Sequence, residues 1–257
     1  MHFGRDADAT ERAKERDLIA CLRYHEDAVQ HLYLLGDVFD PYIEHRHLIP
    51  KGFARLQGFL AGWTDRGVPV TYVVGNHDPW HGDYFSRELG VRMIYDAAIE
   101  PIDNTVLYVA HGDAAQTQSS LYPHLRPWLR HPVPVWCYRA LLPGDAGVRL
   151  AHWVSEAIRK DAPEARVIRG VRAQARHVLR HSAASVAVMG HSHWAELQCW
   201  PEGFYLNTGN WYESRTFGRL DEEGLHLLRW NGTAPTPIES ATLDAAKAPR
   251  AELPPSR

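Results

Sequence analysis

A chain of 257 residues with 45% hydrophobic residues and a formal net charge of −3 is long enough to bury one sizeable core without staples. The near-neutral balance excludes polyanion binding by bulk charge, and no apolar run reaches the ~18 residues of a membrane span. Nothing at the start reads as a signal peptide. The three cysteines (Cys21, Cys137 and Cys199) form no CxxC, so the expectation is a soluble cytoplasmic protein with reduced thiols.

Residues 8 to 30 carry a partial apolar stripe, Leu18, Ile19, Cys21, Leu22 and Val29, and predict a helix. The run Leu32 to Leu35 follows, apolar without alternation, as a strand buried on both faces reads. It closes on Gly36-Asp37-Val38-Phe39-Asp40. Residues 46 to 66 predict a second helix, with Phe53, Leu56, Phe59, Leu60 and Trp63 at helical spacing, ended by Gly67 and Pro69. A second buried strand, Thr71 to Val74, closes on Gly75-Asn76-His77-Asp78. A third, Val106 to Ala110, closes on His111-Gly112-Asp113. This strand–helix–strand order predicts a parallel, crossover-connected layer.

Residues 116 to 180 break the rhythm with Pro127, Pro132, Pro134 and Pro143, then a long helical reading from Val148 to Arg180. Arginines there, Arg126, Arg130, Arg139 and Arg149 among them, outnumber acids. Either this is a solvated helical subdomain or it is a lid over the strand ends, apolar inside and basic outside. A lid would suit a lipid diphosphate or docking on anionic phospholipid. The run Val186 to Met189 closes on Gly190-His191-Ser192-His193. Segments Leu197 to Trp200, Tyr205 to Asn207 and Leu225 to Trp230 predict strands extending a second sheet. The expected division is a core of 1–115 and 181–232, a helical insert of 116–180, and a disordered Pro-, Ala- and Ser-rich tail of 233–257.

Ligands bind at the carboxyl ends of such strands. All four ends carry Asp, Asn or His, which suit Mg, Mn, Fe or Zn. Two divalent ions ~3.5–4 Å apart can clamp a phosphate for in-line attack, and a carboxylate must bridge them. Asp37 is the candidate bridge, beside Gly36. His191 and His193, two apart in an extended segment, project to one side. Asp78 is a candidate to orient His77 by carboxylate–imidazole pairing, and Asp40 is expected to support the site without ligating. The remaining histidines, His81 included, read as surface or structural. Trp194, Trp211 and Tyr212 read as core or rim aromatics.

GDxxD (Asp37, Asp40), GNHD (Asn76, His77, Asp78), HGD (His111) and GHSH (His191, His193) together resemble the calcineurin-like metallophosphoesterases over roughly residues 1 to 215. Within that family the chain looks most like the UDP-2,3-diacylglucosamine pyrophosphatases of lipid A synthesis. The HGD form, the insert after it and Gly209-Asn210-Trp211-Tyr212-Glu213 carry that likeness. The resemblance implies an α/β (α+β sandwich) fold of two mixed β-sheets flanked by helices, with the site at the strand ends. It implies Asn76, His111 and His191 as ligands of one ion and His193 as a ligand of the other, with Asp37 between them.

The family opens on a strand ending in Asp-x-His. Here His2-Phe3-Gly4 matches only the His end, so the expectation is a chain truncated at that motif, with His2 a ligand on a frayed terminus. His77, where the pyrophosphatases carry Arg, would assist the leaving oxygen. Thr117, Tyr122 and Arg126 fall at the substrate-binding offsets, with Gln118-Ser119 replacing an acidic pair.

The implied cofactors are two divalent ions, Mn²⁺ first, with Fe, Zn and Mg as alternatives. The implied substrate is a phosphorylated small molecule or nucleotide lipid. Peripheral contact with an anionic inner membrane is expected, and a nucleic-acid partner is not. The rival readings are a phosphatase or phosphodiesterase of soluble nucleotides, and a scaffold of the same fold with impaired catalysis.

Overall fold

The computed structural model describes residues 1–115, 122–142, 144, 146–151 and 164–243. Three buried strands form a parallel sheet in the order β1 (Leu32–Leu34), β2 (Val70–Val73), β3 (Arg92–Ile94). A mixed five-stranded sheet runs β4 (Ala97–Ile102), β5 (Thr105–Ala110), β6 (Val186–Met189), β8 (Gly203–Asn207), β7 (Glu196–Trp200). Strands β5, β6 and β8 are parallel to one another. The two layers meet through Val73 and Ile94 on one side and Leu107, Val109, Val186, Leu197 and Leu206 on the other. The α/β sandwich expectation holds.

Helices close the outer faces. Helix α1 (Asp8–Tyr24) and α2 (Ala54–Asp65) bury Leu18, Cys21, Leu56, Leu60 and Trp63 against β1 and β2. Helix α2 begins at Ala54, not near residue 46. Its N-cap, Phe53, sits in the left-handed region and offers no side-chain cap. The first amides are satisfied by Glu15 of α1, which accepts from Arg55 N at 3.1 Å and Leu56 N at 3.0 Å. A helix capped from a distant helix has no local start signal.

The second outer face is covered by α6 (Glu164–His181), whose Val171, Ala175 and Leu179 are buried on Ala110, Ala187 and Met189. Each large apolar side chain buried there contributes about 1.5–3 kcal/mol. This helix lies between β5 and β6 along the chain and packs on the five-stranded sheet, in the stretch expected to end the insert.

Two expectations at the C-terminal end are corrected. Leu225 to Trp230 do not join the five-stranded sheet. They lie in β10 (Gly224–Trp230), the centre of a separate antiparallel sheet with β9 (Thr216–Asp221) and β11 (Pro235–Ala241). Strand β11 falls in the expected tail. Its prolines 235 and 237 sit on an edge strand, with a register shift at Leu227/Leu228, where a missing N–H is tolerated. Glu239 of β11 also accepts from Leu197 N at 2.9 Å.

Of the insert, α4 (Tyr122–Arg130) and α5 (Pro132–Leu141) are described. Their polarity is the reverse of a lid with an apolar underside. Trp128, Val133, Trp136 and Leu141 are exposed, while Arg126, Arg130 and Arg139 turn onto the core. Among the described residues no helix is long and apolar enough to cross a membrane.

Candidate metal centre

All four strand-end motifs converge. Asp37, 3% exposed, divides its two oxygens: Oδ1 accepts from His77 N at 2.9 Å, and Oδ2 lies 3.2 Å from His111 Nε2 and 3.6 Å from His2 Nε2. His111 Nε2 also lies 3.0 Å from Asn76 Oδ1 and 3.2 Å from His191 Nδ1. On the other side, His2 Nε2 faces His193 Nε2 at 3.0 Å. Beside a grouping of His2, Asp40 and His77, two ligand trios result, His2–Asp37–His193 and Asp37–His111–His191, each with donor atoms within 4.8 Å of one another. Asp37 belongs to both.

The backbone is bent to achieve this. His2, Asp37, His191 and His193 all have φ between +50° and +64°. Non-glycine residues adopt that region at a cost, and it clusters at functional sites. The Gly36 and Gly75 loops pass against each other, and a Cβ on Gly36 would overlap the His111 ring and Gly75. One on Gly75 would overlap the Asp37 carboxylate. Each motif needs its glycine to admit its neighbour.

His2 is not frayed. It is 1% exposed, and a parallel bridge pairs Phe3 with Phe39. His2 N and Phe3 N donate to Asp37 O and Val38 O, each at 2.8 Å, and Asp40 N donates to Phe3 O at 2.8 Å. These backbone bonds hold the segment against the Asp37 loop.

The ring nitrogens of His111, His2 and His193 that face away from the trios each meet a further partner. Leu35 O accepts from His111 Nδ1 at 2.7 Å. Asp40, 2% exposed, takes His2 Nδ1 at 3.1 Å on Oδ2 and His77 Nδ1 at 3.0 Å on Oδ1. Tyr212 Oη lies 3.1 Å from His193 Nδ1. Such partners set the tautomer and aim the lone pair. The carboxylate orienting His77 is therefore Asp40 rather than Asp78. Asp78 is wholly buried and braces the loops: it accepts from Gly75 N and Val38 N, each at 2.8 Å, and from the Tyr72 hydroxyl. Asn207, also wholly buried, donates to Gly190 O at 2.7 Å and holds the His191 loop. Nothing in the sequence pattern singled out Asn207, the contact of Tyr212 with His193 or the double role of Asp40, because each is set by contacts distant along the chain.

The electrostatics suit a cation. Burial pushes His2 and His191 down to about 4 and His193 to about 2, so these rings are neutral with lone pairs to give. Burial opposes ionisation of Asp37, but His111 and His77 outweigh it and hold the carboxyl well below its usual range. His111 is pushed up to about 9: burial lowers it, and the Asp37 charge more than reverses that. Two buried imidazole pairs meeting nitrogen to nitrogen around one carboxylate form a mixed N/O donor set fitted to Mn, Fe or Zn.

Thr117 and the side chain of Tyr122 lie outside the described residues. Arg126 Nε donates to Asp113 Oδ2 at 2.8 Å, and its other end reaches Asp96. Arg130 reaches the same Asp113 oxygen at 3.1 Å and Gly75 O at 3.3 Å. Trp80 Nε1 donates to Leu129 O at 2.6 Å, and Arg139 donates to Trp80 O at 2.8 Å. The insert is thus latched onto the loops that carry Asn76 and His111.

A family model for calcineurin-like phosphoesterases matches residues 2–195. The chain is similar to curated proteins named UDP-2,3-diacylglucosamine hydrolase. One, from Porphyromonas gingivalis, is 26% identical over 88% of this chain and 93% of its own length. Another, from Vibrio parahaemolyticus, is 23% identical over 81% of this chain and 88% of its own length. Among solved structures, Yfce, a phosphoesterase from E. coli, is similar at 16% identity over 90% of this chain and 93% of its own, with a TM-score of 0.47.

Proposed function

The chain belongs to the calcineurin-like phosphoesterase family, and from that premise we propose that it hydrolyses the diphosphate of a UDP-sugar lipid of the UDP-2,3-diacylglucosamine kind, releasing UMP. Asp37 supports the hydrolytic reading most directly, because one of its oxygens faces both ligand trios. The names of the similar curated proteins support the substrate.

In this reading Asp37, Asn76, His111 and His191 would hold one divalent ion, and His2, Asp37 and His193 would hold the other, Mn²⁺ before Fe, Zn or Mg. When bound, such a pair neutralises phosphate charge and activates water at neutral pH. The chain's own residues do the rest. His77, with Nδ1 on Asp40, gives a proton from its other nitrogen to the leaving oxygen. Asp40 holds His2 and His77 in fixed relation. The insert sets what can approach. Its outward Trp128, Val133, Trp136 and Leu141 suit contact with acyl chains at the cytoplasmic surface of a membrane, and we assign Thr117, Tyr122 and Arg126 to substrate binding.

The test is release of UMP from UDP-2,3-diacylglucosamine by Mn²⁺-loaded protein, run beside bis-p-nitrophenyl phosphate. Preference for the acylated substrate supports the full reading. Turnover of bis-p-nitrophenyl phosphate or soluble nucleotides alone moves the substrate to a soluble phosphoester. No turnover of any of them with two ions bound leaves a scaffold.

A further inference from the structure

A cleft of about 520 Å³ opens beside His193, walled by Ser192, Trp194, Asn210, Tyr212, Glu213 and Glu164. That size lies within the about 300–1,000 Å³ of small-molecule sites. Among the described residues none of α4 or α5 lines it.

The walls are unlike a protein surface chosen for solubility. Trp194 follows His193 directly and is 50% exposed, although indole is among the side chains a fold most readily buries. Tyr212 is fixed through its hydroxyl on His193 and carries the Arg5 guanidinium 5.5 Å from its ring centroid. The loop behind them is preformed. Asn210 Oδ1 accepts from Glu213 N at 2.9 Å and Ser214 N at 3.2 Å, and Thr216 Oγ1 donates to Thr208 O at 2.7 Å. Glu164 and Glu213 make this wall acidic. A phosphate is repelled there, whereas a neutral ring with N–H groups finds acceptors.

We propose that this cleft is the subsite for the nucleobase of a nucleotide substrate, with Trp194 as the stacking face, a carboxylate of its wall as acceptor for a base N–H group, and the phosphate held at Asp37. The proposal rests on the phosphoester-hydrolase reading above and adds a place for the nucleoside half. A rigid aromatic face beside the reacting phosphate also gives the insert and the cleft different halves of one substrate to hold.

Isothermal titration of Mn²⁺-loaded protein with uridine 5′-phosphate and with ribose 5-phosphate tests it without requiring turnover, metal content being measured on each sample. In the native chain the base should add affinity over ribose 5-phosphate. Trp194→Ala should weaken uridine 5′-phosphate by about 5- to 100-fold, the usual cost of losing a base-stacking aromatic, while moving ribose 5-phosphate far less. Trp194→Phe should keep most of the affinity. Equal weakening of both ligands, or no change in either, overturns the subsite. If ribose 5-phosphate binds the native chain and the base adds nothing, only the cleft proposal falls. If neither ligand binds, the nucleotide-substrate reading falls with it.

Discussion

The strand-end loops and the α4–α5 insert meet at the same centre, yet they are held by different physics. The loops owe their shape to backbone: four ligand positions at positive φ, two glycines at close approach, and a parallel bridge pinning His2. The insert is held by a few polar contacts, Arg126 and Arg130 on Asp113 and Arg139 on Trp80 O, while its large apolar residues face outward. Under the proposed function, the difference separates chemistry from selection. The fold fixes the reacting geometry, and the insert rests on it through bonds that can be cut one at a time.

The largest effects should come from the loops. Asp37→Ala or His111→Ala should remove bound metal and activity by more than the about 10–100-fold expected from losing an outer partner, with the fold kept by circular dichroism. Turnover near the native rate in either variant breaks the assignment of the centre. A sharper contrast compares two aspartates of the same motifs. Asp40→Asn should lower kcat and metal affinity by about 10–100-fold, because one carboxylate aims both His2 and His77. Asp78→Asn should instead act on stability, at about 1–3 kcal/mol for buried N–H groups left without their acceptor. Denaturant melts alongside metal titrations separate the two. If Asp78→Asn costs activity and no stability, the roles are reversed.

What the sequence made legible follows the same divide. The buried strands and their Asp, Asn and His endings are local signals, since each motif sits where its strand stops. The four therefore meet at one site once the sheet of β1 and β2 is packed against the sheet of β5 and β6. The start of α2 was not legible because its cap, Glu15, comes from another helix. Strand β11 was hidden because prolines 235 and 237 suit an edge strand as well as a tail. The insert's polarity was misread because composition counts arginines without telling which face they take. Here a buried acid, Asp113, turns them inward. Tyr212 and Asn207 support the site across chain separations that periodicity cannot see.

Cutting the insert's latch should be milder and selective. Asp113→Asn removes the charge shared by Arg126 and Arg130 without touching a ring nitrogen of His111. We expect KM for an acylated substrate to rise by about tenfold, as for loss of a charge-assisted contact of about 1.5 kcal/mol. Hydrolysis of bis-p-nitrophenyl phosphate should change less, and limited proteolysis between α4 and α5 should quicken. Equal loss on both substrates would mean that Asp113 serves the centre itself, and the divide between chemistry and selection would fail.

The smallest effect lies at the seam of the two regions. His81 is 6% exposed, stacked on Tyr42 at 4.2 Å between ring centroids, and neither ring nitrogen has a partner among the described residues. Burial, and then the charge of Arg139 from the insert, push it down to about 3. The unfolded chain takes up a proton near 6.5 that the folded chain refuses until about 3, so stability is lost as pH falls through that window. At pH 5.5 the loss from this one group is about 1.4 kcal/mol, or about 4 °C in Tm. His81→Phe keeps an aromatic ring among Tyr42, Tyr72 and Phe85 and removes the proton site. Its Tm should fall less than that of the native chain between pH 7.5 and 5.5. Parallel curves would show that His81 gains its proton in place, with Arg139 and the insert drawing away to admit the charge.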